Sequence, residues 1–292
     1  MKILLIGKNG QVGHELQRTL LPLGELVALG RDSLDLNDPS ALKQVLASEA
    51  ADVIVNASAY TAVDRAEADE AGALAVNGAA VAAMAAHARI HGALLVHYST
   101  DYVFDGDQAA PYVEDDATAP QSAYGRSKRA GEEAILASAC KALVFRTSWV
   151  FSAHGGNFIK TMLRLAGERE SLNVVADQFG APTSAELIAD VTALAIAAYR
   201  RGALADGIYH LTAAGATSWH GLASYAIERA QARGAALKVD PAQIKPIPTE
   251  AYPLPAKRPK NSRLDTSKLS DALDLRLPDW KIHVDRLIEQ LS

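Results

Sequence analysis

Lys2-Ile3-Leu4-Leu5-Ile6-Gly7-Lys8-Asn9-Gly10-Gln11-Val12-Gly13 opens the chain and decides its fold class. Residues 2–6 are a short apolar run rich in β-formers. A helical pattern with Leu16, Leu20 and Leu21 on one side follows, and Pro22-Leu23-Gly24 stops it. Strand, glycine-rich turn and helix, in that order, make a cradle for the pyrophosphate of a dinucleotide. Gly7 permits the tight turn, Gly10 lets backbone approach phosphate, and Gly13 allows helix and strand to pack closely. The helix N-terminus adds N–H donors and positive partial charge. The spacing is G-x-x-G-x-x-G rather than G-x-G-x-x-G, and such a turn can also be purely structural. Its place at the head of a strand–helix alternation favours cofactor binding.

That alternation continues along the chain. The pattern predicts strands near 2–6, 26–30, 52–57, 93–98, 142–146, 173–175 and 207–211. Helices are predicted near 11–21, 40–49, 69–91, 125–138, 157–169, 185–201, 219–233 and 280–291. Asp38-Pro39 is a helix start, with Asp as N-cap and Pro at the first position. Strands separated by helix-length segments imply right-handed crossovers and a parallel sheet. The expectation is an α/β chain: a Rossmann-type doubly wound parallel sheet with a smaller C-terminal substrate-binding part. Residues 1–150 form the dinucleotide-binding domain and 151–292 mainly the substrate part, with strands near 174 and 208 able to extend the first sheet. Five prolines between Pro246 and Pro259 make 244–264 an irregular connector, unfit for a core helix or a central strand.

Composition narrows the class. Among 292 residues, 49% are hydrophobic and 22% charged, the balance of a soluble globular protein. A formal net charge of −5 gives no basic field for nucleic acid. One cysteine, Cys140, excludes an intrachain disulfide framework and agrees with a reducing cytoplasm. Residues 1–6 lack the pattern of a signal peptide, and no apolar run approaches the ~18 residues that span a bilayer. The alanine-rich stretch from Ala71 to Ala88 comes nearest, interrupted by Asn77 and His87. The expectation is a cytoplasmic protein without membrane or nucleic-acid partners.

In a doubly wound sheet, ligands sit beyond the carboxyl ends of the strands, so the polar residues there carry the chemistry. The second strand ends Leu29-Gly30-Arg31-Asp32. An acid at this point would take the ribose hydroxyls of NAD. Gly30 and Arg31 offer space and positive charge instead, which favours the 2′-phosphate of NADP, unless Arg31 is merely solvated. The third strand ends Asn56-Ala57-Ser58-Ala59-Tyr60-Thr61, whose small residues let backbone lie along a ribose. The fourth ends His97-Tyr98-Ser99-Thr100-Asp101-Tyr102, where Thr100 could polarise a substrate carbonyl or simply cap a turn. The fifth ends Arg146-Thr147-Ser148-Trp149, with Trp149 either at a pocket mouth or in the core. In Tyr124-Gly125-Arg126-Ser127-Lys128 a phenol and an ammonium stand four residues apart, on one helix face. A neighbouring cation lowers the pKa of a phenol from near ~10, which would make Tyr124 a general acid usable near neutral pH.

Gly7, Gly10 and Gly13, a threonine after the fourth strand, and Tyr124 with Lys128 together resemble the extended short-chain dehydrogenases/reductases. Four stretches are similar to the dTDP-4-dehydrorhamnose reductase family: Ser99–Gly106, Phe145–Trp149, Asp177–Thr183 and Arg258–Leu264. The likeness runs from Met1 nearly to the C-terminus. It implies reduction of the C4 ketone of dTDP-4-dehydro-β-L-rhamnose to dTDP-β-L-rhamnose, for cell-surface polysaccharide. It also implies cofactor contacts at Gly10-Gln11-Val12, at Arg31 or its neighbour Gly30, at Asp35-Leu36 beside the adenine, at Ala59-Tyr60-Thr61 and at Tyr98. Thr100, Asp101 and Trp149 would meet the sugar. Lys128 would hold a nicotinamide ribose hydroxyl, and Arg258 and Arg263, in the proline-stiffened loop, would clamp the substrate diphosphate. Members with an acid after the second strand accept both cofactors. Here Gly30-Arg31 points to NADPH, with NADH the second option. Bacterial members can hold Mg²⁺ between subunits through glutamates, and Glu15 and Glu186 match those positions, which implies a homodimer. Either glutamate is equally an acid placed favourably on its helix dipole.

Three other functions share these features. A nucleotide-sugar 4,6-dehydratase would show Thr-Asp-Glu where this chain has Thr100-Asp101-Tyr102. An epimerase–reductase acting on another 4-keto-6-deoxysugar would need a further acid–base pair, usually including a cysteine. A non-catalytic NADP-binding subunit, resembling the regulatory subunit of methionine adenosyltransferase, would not need Thr100, Tyr124 and Lys128 together.

Overall fold

A computed structural model of the chain describes residues 1–291. Six parallel strands form the central sheet. They are β1 (Lys2–Ile6), β2 (Glu25–Leu29), β3 (Val53–Asn56), β4 (Leu94–Thr100), β5 (Ala142–Thr147) and a sixth, Gly207–His210. Across the sheet the order is β2, β1, β3, β4, β5 and then Gly207–His210. The chain first builds outward from β1 to β2 and then crosses back to β3 on the other side. The crevice between β1 and β3 is therefore the point at which the winding reverses.

Alternation along each strand feeds two cores. Ile3 and Leu5 of β1, with Leu94, Val96 and Tyr98 of β4, face helix Gln11–Thr19 (α1) and helix Ala185–Arg200. Leu4, Ile6 and Leu95 face helix Pro39–Glu49 (α2) and the long helix Glu70–His91 on the other side. Burial on both faces explains why these strands read as continuous apolar runs. The helix Glu70–His91 is long and apolar enough to cross a membrane, but 44% of that apolar window is buried inside the protein. Its second turn, Ala75–Ala79, is a π-helical segment. Gly131 of helix Ala123–Ser138 crosses it so closely that a Cβ there would stand 2.3 Å from the Asn77 carbonyl oxygen.

Of the two later strands, only Gly207–His210 extends the main sheet. Leu172–Val175 instead pairs with Ile244–Ile247 in a separate two-stranded parallel ribbon. The proline-rich connector thus begins as a strand, contrary to the sequence expectation. A two-stranded ribbon consists only of edges, where Pro246 opposite Val174 leaves no central hydrogen-bond ladder broken. A small third core lies under this ribbon, made by Ala166, Leu172, Val174, Ala223, Ile227, Val239 and Ile244. Helix Ser267–Leu273 was not foreseen, being only 7 residues long, without a side-chain hydrogen bond at its N-cap.

Candidate active site

The glycine turn has the geometry its spacing implied. Gly7 has φ +95°, and a Cβ on it would lie 2.7 Å from the backbone of Ala57 and Ser58, after β3. A Cβ on Gly13 would fall 2.0 Å from the Gly7 carbonyl oxygen. Gly10 is the N-cap of α1 and caps with no side chain, so the first N–H groups of the helix, from Gln11 onward, point outward as donors. At the β2 end, a Cβ on Gly30 would meet Asp32 and Asn9 side chains, and Arg31 is exposed. Asp35 is exposed too, held below the usual carboxylate range chiefly by hydrogen bonds from Asn37. Leu36 turns the other way and packs in the α2 core with Leu34 and Leu42. A segment that the sequence did not flag braces the turn: His154 Nε2 donates to the Asn9 carbonyl at 3.0 Å, and its ring stacks on His14 at 4.2 Å.

The tyrosine helix, Ala123–Ser138, starts under tight control. Ser122 Oγ accepts from Gly125 N, and Glu67 Oε1 accepts from Ala123 N at 2.8 Å. Gly125 lies so close to Tyr102 that a Cβ would be 2.3 Å from its carbonyl oxygen. Ser127 Oγ donates to the Tyr124 carbonyl and accepts from Asn77 Nδ2, while Asn77 also pairs with both backbone groups of Tyr60. Asn77 is a residue that sequence reasoning missed, and its mid-helix polarity in an alanine run was the available signal. Tyr60, in turn, donates its phenol to Asp69. Ala59 and Thr61 flank it in the segment that follows β3.

Thr100 and Tyr124 come together at the end of β4, with Lys128 one turn along the helix from Tyr124. The Thr100 hydroxyl donates to Asp101 Oδ1 at 3.0 Å and accepts from Tyr102 N. It also stands against the Tyr124 phenol, whose ring meets Tyr102 edge-on at 5.6 Å. Burial raises the Tyr124 pKa well above its ordinary value, and the Thr100 hydroxyl offsets this only in part. The lowering expected from Lys128 is not seen. The Lys128 amine is buried and meets His97 Nε2 at 3.3 Å, and burial brings it down to about 8, opposed by Glu132. Asp101 is pushed up to about 6 by burial, against hydrogen bonds from Ser262 and Thr100. Glu132 itself makes a bidentate pair with Arg146 of β5, both contacts 2.8 Å and both side chains buried.

Tyr98 faces away from this cluster. Its ring packs on Phe145 and its hydroxyl pairs with Thr192 at 2.8 Å, so only its backbone is left for a ligand at the strand end. Trp149 has φ +48°, rare for a bulky residue, and its ring stacks on Trp219 at 3.5 Å with Gly180 against its face. It is half-buried, which joins the two alternatives the sequence left open. Trp219 Nε1 donates to Gln178, Gln178 and Asp177 bind Thr249, and Phe179 exchanges backbone bonds with Lys260 and Ser262. The stretches 177–183 and 258–264 are thereby knitted together beside Trp149. Arg258 pairs with Asp64 at 2.6 Å and lies 6.0 Å over the Tyr102 ring, within reach of the tyrosine cluster. Arg263 turns two of its five guanidinium N–H groups to Asn261 Oδ1 and the Ala109 carbonyl.

Glu186 pairs with Arg286 at 2.7 Å and accepts from Gln290 at 3.0 Å, and no group of three or more potential metal-ligating side chains exists among the described residues. A single chain does not offer the donor set a hard cation needs.

A glycine turn at the winding reversal, with threonine, tyrosine and lysine at the neighbouring strand end, defines an oxidoreductase of the short-chain dehydrogenase/reductase type. Comparison with known proteins makes this more particular. Residues 1–292 match the family model described as the RmlD substrate binding domain. A dTDP-4-dehydrorhamnose reductase of Burkholderia thailandensis is 51% identical over 100% of this chain and 99% of its own length. The crystal structure of a dTDP-4-dehydrorhamnose reductase from Clostridium acetobutylicum superposes with a TM-score of 0.91 at 35% identity, covering 100% of this chain and 99% of that one. One from Bacillus anthracis, in complex with NADP, gives 0.88 at 33% identity and 99% coverage of both chains. The chain belongs to the dTDP-4-dehydrorhamnose reductase family.

Proposed function

We propose that this protein reduces the C4 ketone of dTDP-4-dehydro-β-L-rhamnose with NADPH, giving dTDP-β-L-rhamnose for cell-surface polysaccharide. One observation carries the reading: the Thr100 hydroxyl stands against the Tyr124 phenol, with Lys128 one turn along the same helix, in a chain similar from end to end to reductases of that name. Bound NADPH supplies the hydride. The protein's part is to bind, orient and protonate. The N–H groups at the start of α1 take the pyrophosphate, exposed Arg31 takes the 2′-phosphate, and Asp35 lies at the adenine. Tyr124 gives its phenolic proton to the C4 oxygen as that oxygen becomes an alkoxide, and solvent restores it. A phenol held above its usual pKa stays protonated through neutral pH, the state a proton donor needs. The Thr100 hydroxyl, turned from Asp101, would address the same oxygen as Tyr124, a small version of an oxyanion site. Lys128, when charged, favours the tyrosinate that remains.

Residues 151–292 act as the substrate part, with Trp149 beside the sugar and Arg258 toward the diphosphate. The place of a dehydratase glutamate is filled by Tyr102, whose buried phenol is raised well above its ordinary pKa and is no base. Cys140, buried beyond the far end of the tyrosine helix, serves no epimerase chemistry there. The same reading places the protein in the cytoplasm as a homodimer. The test is NADPH consumption with a panel of nucleotide 4-ketosugars. Turnover should be highest with dTDP-4-dehydrorhamnose, and turnover with none of them would refute the assignment.

A further inference from the structure

Lys128 has a partner that the proposed reaction does not call for. His97, in the middle of β4, is fully buried and bridges two side chains: its Nδ1 lies 3.2 Å from Asn56 Nδ2 and its Nε2 lies 3.3 Å from Lys128 Nζ. Asn56 is its register neighbour on β3, and Asn56 Oδ1 accepts from Ser58 N at 3.1 Å. A backbone N–H can only donate, so this bond fixes which way the Asn56 carboxamide points. Its NH₂ then faces His97 Nδ1 and can only donate to it. A neutral His97 must therefore carry its proton on Nε2, aimed at the Lys128 amine. Burial and the nearby lysine both oppose an imidazolium. An ammonium has donors only, so a charged Lys128 confronts another N–H, whereas a neutral amine accepts from it.

We propose that His97 is a positioning residue: locked by Asn56 as the Nε2–H tautomer, it disfavours the ammonium form of Lys128 and sets the alkaline limit of the reaction. The other groups around the amine do not do this. Glu132, one turn along the same helix, favours the ammonium but is neutralised by Arg146 from β5 and by Arg129. Ser99 Oγ, two residues from His97 on β4, is buried without a hydrogen-bond partner, and Tyr124, one turn earlier, keeps its proton to higher pH than Lys128 does. Asp101, at about 6, is already ionised by then, and of Tyr124 and Lys128 it is Lys128 that loses its proton first, in accord with its value of about 8.

The proposal rests on the reductase reading only for its kinetic arm. There, kcat/KM for NADPH at saturating sugar is measured against pH, since that ratio reports the protein before cofactor binds. His97→Gln puts a side-chain carbonyl within reach of the ammonium. Its alkaline limb should move up by about one pH unit, a tenfold change in the ionisation constant. His97→Leu, which deletes the opposing N–H, should not move it down. An unmoved limb in folded His97→Gln would overturn the idea. The second arm needs no turnover. Long-range ¹H–¹⁵N correlation on histidine-labelled, cofactor-free protein should show His97 protonated at Nε2 and not titrating between pH 5 and 8. A proton on Nδ1, or titration near pH ~6.5, would refute the proposal even if both variants failed to fold. If the parent turned over no sugar, the reductase reading would fall while this arm still decided the role of His97.

Discussion

The glycine turn after β1 and the tyrosine helix beside β4 meet at one end of the sheet, but they are built by opposite means. The turn works by leaving side chains out: Gly7 and Gly13 sit where a single methyl group would strike backbone at 2.7 Å and 2.0 Å. The helix works by burying polar side chains, with Lys128, Glu132 and Ser127 all at 2% exposure or less. A site made of excluded volume constrains shape and should govern cofactor affinity. One made of buried dipoles and charges constrains protonation and should govern rate.

Mutations can separate the two. Tyr124→Phe should have the largest effect, lowering kcat at least about a hundredfold, because a positioned general acid contributes roughly 10²–10⁴. The ring still packs, so KM for NADPH should barely change, and a near-parental kcat in an NADPH oxidation assay would require another proton donor. Gly13→Ala should do the reverse. Its methyl must push the turn open at a strain cost of about 1–3 kcal/mol, read as a lower Tm and roughly tenfold or more weaker NADPH binding by titration. Parental affinity there would break the contrast between the two regions. Arg31→Ala should weaken NADPH by about tenfold, the low end for an exposed charge-assisted contact of roughly 1.5–3 kcal/mol, and leave NADH unchanged. Equal dissociation constants for the two cofactors in the parent would remove its basis. Thr100→Val should be mildest, since one hydrogen bond of about 1 kcal/mol lowers kcat roughly fivefold with no change in cofactor affinity. A loss as large as that of Tyr124→Phe would make Thr100 the proton donor instead.

The same contrast explains what could be read in the sequence. The strands of the main sheet were legible because burial on both faces makes apolar runs, and the glycines because excluded volume leaves a residue type behind. The tyrosine and lysine were legible as a helical spacing. Their ionisation was not, since the Lys128 amine turns to His97, a strand residue 31 positions away, and only the fold brings them together. Asn77 was hidden for a related reason: a π-helical segment shifts the helix register, so its polar side chain inside an alanine run had no periodic meaning. Leu172–Val175 was read as a strand correctly and left open to the main sheet, because strand pattern does not name its partner. The neighbours of Arg263, Asn261 and the Ala109 carbonyl, were not legible, because loop geometry sets them.

The sixth strand has a consequence for how the chain is made. β5 ends at Thr147 and its outer neighbour begins at Gly207, with a helix-rich stretch of about 60 residues between them. At roughly 5–20 residues per second, a ribosome takes about 3–12 s to cross that gap. During this interval the nascent sheet is whole from β2 to β5 but presents a bare edge along Ala142–Thr147. Such an edge is a template for pairing with a neighbouring chain on the same polysome.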